Sequence, residues 1–142
     1  MGKLVQRLRD AARSGVYRAA RPDEVLDASR EGGLRLTHVS LEGVDSAPEL
    51  LRRVAQGFAF PDWFGGNWDA LEDCLADLSW IEAEGHVLLL ESASGLAADD
   101  FGIFADVLSS CAQTWAGRGK PFFAVFVQGP ATLPPIIREK AA

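Results

Sequence analysis

The chain has 142 residues, 48% of them apolar and 24% charged, with a net charge of −6 and a pI near 4.8. That length and composition fit one folded domain around a single sizeable core, and a second such domain is not expected. The negative balance argues against nucleic acid or an anionic membrane as partner, since both are bound through Lys and Arg that neutralise phosphates, and it favours a basic protein.

In chain order, Leu4, Val5 and Leu8 among basic residues suggest a short amphipathic helix or a loosely held arm over residues 3–13. Val16 and Tyr17 suit a short strand. Pro22, with Asp23 and Glu24 behind it, starts a helix that Gly32 and Gly33 end. Residues 34–41 alternate Leu34, Leu36 and His38 with Arg35, Thr37 and Val39, the period of a strand. Asp45 or Ser46 caps the next helix, which runs through Pro48, Leu50, Leu51 and Val54 to Gly57. Residues 58–66 form an aromatic loop, and Asn67 is placed to cap a helix from Trp68 to about Leu78. A continuous apolar strand over 86–90, a helix over about 97–115 and a strand over 122–127 follow. After Gly129, Pro130, Pro134 and Pro135 leave an irregular tail or a final short helix. Continuous apolar strands alternating with helices predict an α/β fold with a small, mostly parallel sheet of three to four strands covered by helices.

Cys74 and Cys111 stand far apart, with no Cys-x-x-Cys pair and no Cys/His cluster, so neither a disulfide framework, a metal site nor a cofactor is expected. Two reduced thiols fit a cytoplasmic protein. Residues 1–15 lack the apolar core and cleavage site of a secretory leader, and Gln6 departs from the myristoylation pattern. No apolar run approaches the length of a membrane span. The chain is expected to be a monomer.

Charge is distributed unevenly. Between Arg53 and Arg118 there is no Lys or Arg, while eleven acids fall in that gap. In the helix after Asn67, a 100° step per residue puts Trp68, Leu71, Cys74, Leu75 and Leu78 on one side and Asp69, Glu72, Asp73 and Asp77 on the other. A solvated helix face is the ordinary reading of such a pattern. Here, however, Asp69 with Asp73 and Asp73 with Asp77 are like-charged i,i+4 pairs, each costing a few tenths of a kcal/mol, and no Lys relieves them. The helix dipole favours acids only in the first turn, so Asp73 and Asp77 gain little from it. A face that keeps this cost suits a surface that meets a basic partner. Trp63, beside Asp62 and ahead of Gly65 and Gly66, is the better candidate for an interface aromatic, whereas Phe64 is as well explained by the core. The Gly-Gly pair permits a positive φ or close approach of a partner, although a simple turn is its commoner use.

The run Phe60-Pro61-Asp62-Trp63-Phe64-Gly65-Gly66-Asn67-Trp68-Asp69-Ala70-Leu71-Glu72-Asp73-Cys74-Leu75 resembles the signature of the barstar family, intracellular inhibitors of the ribonuclease barnase. The likeness extends more loosely over residues 34–127, with Leu88-Leu89-Leu90-Glu91 at the second family strand. It implies a barstar-like domain over 34–128, an N-terminal extension over 1–33 that adds a strand and helix at the sheet edge, and a C-terminal tail over 129–142. It also implies that the chain is not an enzyme. Its acidic helix and the preceding loop would plug the active site of a basic, secreted, barnase-type ribonuclease, as in an immunity protein or toxin–antitoxin pair. The positions that match the family's contacts are Trp63, Gly65, Asn67, Asp69 and Asp73, with Asp73 standing in for a substrate phosphate; Glu72, Asp77 and Trp80 complete the expected face. Three positions depart from the pattern. Glu72 replaces a tryptophan, Leu78 replaces a second aromatic for which Trp80 lies close enough to substitute, and an acid expected on the last long helix is missing around Gln113-Thr114-Trp115.

Two other functions are open at this point. An acidic module of the same fold could bind another basic toxin or regulatory protein, a reading that Glu72 and the missing acid motivate. An enzyme could use Asp69 and Asp73 as a carboxylate pair or metal site, but no nucleophile or His lies near them in sequence, and His38 and His86 read as strand residues. Phosphate binding at Gly65-Gly66-Asn67 is opposed by the acids that follow at once and by the lack of a GxxxxGK[ST] run.

Overall fold

A computed structural model describes residues 2–137. Helix α1 (Lys3–Leu8) and a short 3-10 turn lead into strand β1 (Gly15–Ala19), and helix α2 (Asp23–Glu31) leads to β2 (Arg35–Ser40). Helices α3 (Ala47–Gly57) and α4 (Trp68–Asp77) come next, then β3 (His86–Glu91), the long helix α5 (Ala98–Gly117) and β4 (Phe122–Val127). The strands form one sheet in the order β1-β4-β3-β2, and every pairing is parallel. The fold is the expected α/β arrangement, at the four-stranded end of the expected range.

Both faces of the sheet are covered, which is why β3 and β4 read as unbroken apolar runs. One face carries Val39, Leu88, Leu90, Phe122, Ala124 and Phe126 against α3, α4 and α5. The other carries Val87, Leu89, Phe123 and Val125 against Val5 and Leu8 of α1 and Val25 and Ala28 of α2. The α1/α2 layer and the acidic helix α4 therefore lie on opposite sides of the sheet. In β2 the buried positions are Thr37 and Val39, while Leu36 is half-buried toward the smaller core and His38 is exposed, where it hydrogen-bonds Glu91.

Local chemistry sets the helix ends. Ser46, not Asp45, caps α3, its hydroxyl accepting from the Glu49 amide. At the far end of α3 the amides of Ala59 and Phe60 donate to Gln56 and Ala55, with Ala59 left-handed at φ 52°, which closes a Schellman turn and throws Phe60 back onto Phe58. After β4 the described part of the tail runs as irregular chain along β1: Arg18 donates to Pro134, Ile136 donates to Arg18, and the Arg7 guanidinium holds the Ile136 carbonyl. The outer edge of β1 is thereby covered.

Candidate protein-binding face

Helix α4 begins where Asn67 accepts a hydrogen bond from the Ala70 amide at 2.8 Å, the cap expected from its sequence. From that start the helix buries Leu71, Cys74 and Leu75 and half-buries Trp68 against Phe104. Asp69, Asp73 and Asp77 stand exposed on the outer face. Successive i,i+4 positions lie about 6 Å apart, so the three carboxylates form one line along the helix. Glu72 lies off that line, partly covered on the flank toward α5, where its backbone carbonyl accepts from the Cys111 thiol. Burial, ahead of the nearby Glu72 and Asp73, pushes the Cys111 thiol up to about 12, so it stays a donor. Burial, with Asp73 and Asp77 beside it, also raises Cys74.

The loop before α4 is built on aromatic packing. Phe64 is half-buried and meets Phe60 edge to face at 4.9 Å; Phe60 in turn meets Trp80 at 5.9 Å. Trp80 is anchored by its indole N–H, which donates to the Phe58 carbonyl at 2.9 Å. Trp63 rests on Trp80 but is 62% exposed, the most exposed large apolar side chain among the described residues. Of the two glycines, Gly66 takes the positive φ of 71°. A Cβ at Gly65 would meet Ala70 and Asn67 only at 3.7 Å, ordinary contact, so the fold makes no demand for glycine there.

The structure thus brings Trp63, Trp80, Asn67, Asp69, Asp73 and Asp77 onto one continuous loop-and-helix surface, with Gly65 in the loop and Glu72 on its flank. None of the eight lines the 830 Å³ cavity, which lies at the carboxyl ends of β1, β3 and β4 beside Arg21, Ser92, Phe101 and Gln128. The acids are presented on a helix surface rather than gathered in a pocket, and this arrangement suits insertion into a partner's cleft. Among the described residues, no three His, Cys, Asp or Glu side chains are grouped so as to hold a metal ion, and no helix is long and apolar enough to cross a membrane.

The sequence of one family, Barstar (barnase inhibitor), provides a model that matches residues 34–127, more than half of the chain. The chain belongs to the barstar family. That family is one of protein inhibitors rather than enzymes. The matched residues include the Trp63 loop and the whole of α4. Among curated proteins, none matches the chain significantly.

Sequence reasoning missed two residues that shape this face. The gap between Arg53 and Arg118 suggests an acidic helix with no cation near it, yet Arg118 folds back to the carboxyl end of α4 and donates to the Ala76 carbonyl. Trp115, which the sequence places where an acid was expected, points inward, and its indole N–H donates to Leu75 at 2.8 Å. The available signal was the absence of any basic residue in the last turn of α4, which leaves its carbonyls to be met from elsewhere.

Proposed function

We propose that this barstar-family chain is an intracellular inhibitor of a basic, barnase-type ribonuclease, acting as a monomer in the cytoplasm and protecting the cell as an immunity protein. Asp69, Asp73 and Asp77 would meet the Arg, Lys and His side chains that otherwise hold RNA phosphates, with Asp73 at the phosphate position. Trp63 would pack into the partner as an anchor with Trp80 beneath it, Gly65 would let the partner's backbone close in, and Glu72 would add charge on the flank. The observation that carries this reading is the exposed line of three carboxylates on a helix pinned by Asn67 and flanked by an uncovered Trp63. Carboxylates so placed attract a cationic cleft at a distance, an effect that salt screens. Barnase with barstar is itself a standard case of such steering.

Calorimetric titration of the purified chain against a barnase-type ribonuclease tests the proposal. Tight 1:1 binding is expected, weaker in high salt. Replacing Asp73 by Ala should cost on the order of 3 kcal/mol, because cations in the partner's site would be left buried and unpaired. Binding that is absent at both salt concentrations, or indifferent to Asp73→Ala, rules the proposal out.

A second reading is favoured by Glu72, which presents a carboxylate where the family pattern has an aromatic. The same face would then serve a different basic protein. Affinity capture with the chain as bait separates the two: a ribonuclease in the eluate supports the first, and a basic non-nuclease lost from an Asp73→Ala bait supports the second.

A further inference from the structure

Helix α4 ends in an unusual way. It has no basic residue in its last turn, and its C-cap, Leu78, is left-handed at φ 45° although Gly or Asn usually takes that position. The Leu78 amide donates to Cys74, and among the described residues no backbone N–H of the following chain reaches Leu75 or Ala76. Both orphan carbonyls are taken by side chains at the end of α5, Trp115 within its last turn and Arg118 at its C-cap. Trp115 Nε1 donates to Leu75 at 2.8 Å, and Arg118 Nη1 donates to Ala76. The Arg118 guanidinium also lies over the Trp115 ring, 4.8 Å from its centroid, so the two donors brace each other. One turn earlier the Cys111 thiol reaches Glu72 at 3.6 Å, a weaker third rung on the same side of α5.

These contacts also act electrically. The carboxyl end of a helix is its negative pole, and here Asp73 and Asp77 add to it. Arg118 supplies the missing cation at that pole without occupying the outer face of α4. It does so from a segment 42 residues away, so the carboxyl end of α4 is held from the end of α5 rather than by its own sequence.

We infer that Trp115 and Arg118 are positioning residues for the acidic face: by holding the Leu75 and Ala76 carbonyls they fix how α4 sits, and so set how long a partner stays bound. This rests on the inhibitor reading of the same face. Ordering lost before binding need not be lost during it, so a helix held in its binding pose keeps its partner longer.

The test uses the full-length chain with Trp115→Phe, which deletes the donor and keeps a ring, Arg118→Met, which deletes donor and charge, and Arg118→Lys. Association and dissociation rates with a barnase-type ribonuclease are measured alongside amide hydrogen exchange of the free chain. Trp115→Phe and Arg118→Met should each dissociate about five- to tenfold faster, the scale of one lost hydrogen bond. Arg118→Met should associate no more slowly than wild type, since a cation beside the acids has gone. The amides of Asp77 and Leu78 should exchange faster while those of β3 and β4 keep their wild-type rates, and Arg118→Lys should recover part of both effects.

Unchanged dissociation in both deleting variants overturns the inference. So does faster exchange spread equally over β3 and β4, which would make the two residues structural supports only. A change confined to association would reduce Arg118 to a local charge. Wild-type chain that fails to bind any such ribonuclease defeats the inhibitor reading and the binding half of the inference with it, whereas unaltered exchange in α4 defeats the clamp itself, so the two failures are told apart.

Discussion

The rings of Trp63 and Trp80 meet edge to face, 6.4 Å between centroids and 87° between planes, and only Trp80 is tied down, by its indole N–H to the Phe58 carbonyl. Trp63 therefore stands on a fixed base with most of its surface uncovered. Replacing Trp63 by Ala should cost no more than about 1 kcal/mol of stability, the worth of one aromatic pair. It should cost more than about 2 kcal/mol of binding, as central interface aromatics do. Urea unfolding and calorimetry on the same preparation check both halves; a variant that loses stability and keeps affinity would place Trp63 outside the contact.

The paired glycines make opposite predictions. Gly66→Ala forces a side chain into φ 71° and should lower stability by about 1 kcal/mol. Gly65→Ala meets only ordinary contacts, so it should leave the unfolding midpoint in place and weaken partner binding through the added methyl. Equal affinity for Gly65→Ala and wild type would remove that residue from the interface.

His86 gives the chain an acid sensitivity. Its ring sits among Trp115, Phe122 and Phe58, and neither ring nitrogen has a hydrogen-bond partner among the described residues. Burial first, then the nearby Arg35 and Lys120, hold its pKa down at about 4. The unfolded chain takes up that proton near pH 6.5, so the stability His86 contributes is complete above pH 6.5 and is lost as pH falls toward 4. The loss between pH 7 and pH 5 should be about 2 kcal/mol. His86→Leu should flatten the urea midpoint over that interval, and a variant as acid-sensitive as wild type would assign the effect elsewhere.

Ala59 occupies the left-handed position of the turn that ends α3, at φ 52° and exposed. Glycine there removes the steric cost of that conformation, so Ala59→Gly should raise stability by about 1 kcal/mol and the melting temperature by about 4 °C. Ribonuclease affinity should be unaffected, since Ala59 lies outside the proposed face. A drop in melting temperature would show that the turn is not strained.

Features set by neighbouring residues were legible in the sequence. Asn67 ahead of an amphipathic run marks the start of α4, and the unbroken apolar stretches of β3 and β4 announce strands covered on both faces. The acids of α4 could be assigned to its outer side from the 100° period alone. What could not be read depends on partners far along the chain. That β1 pairs with β4 is decided by packing across more than 100 residues, and so is the strapping of β1 by the segment around Pro135. Nothing local shows that Leu78 would be left-handed; its side chain is fully buried, and packing outweighs the backbone cost. The faces of β2 were equally hidden, because Leu36 is more apolar than Thr37 and yet Thr37 is the more buried. Arg118 was invisible as a neighbour of α4 because the contact closes a loop of 42 residues.

The placement of α1 and α2 on one side of the sheet and α4 on the other has an electrical consequence. Residues 1–35 carry eight Lys or Arg against five Asp or Glu, whereas the stretch from 54 to 117 carries eleven acids and no cation. With α4 and its acids on the side of the sheet away from α1 and α2, this uneven charge makes the molecule a dipole as well as an anion. A cationic cleft exerts a torque on such a body as well as a pull, turning the acidic side forward and the less acidic side away before any atoms touch. Fewer collisions are then wasted on wrong orientations, and replacing the exposed Lys3 and Arg9 by Glu should slow association even though both lie outside the proposed face.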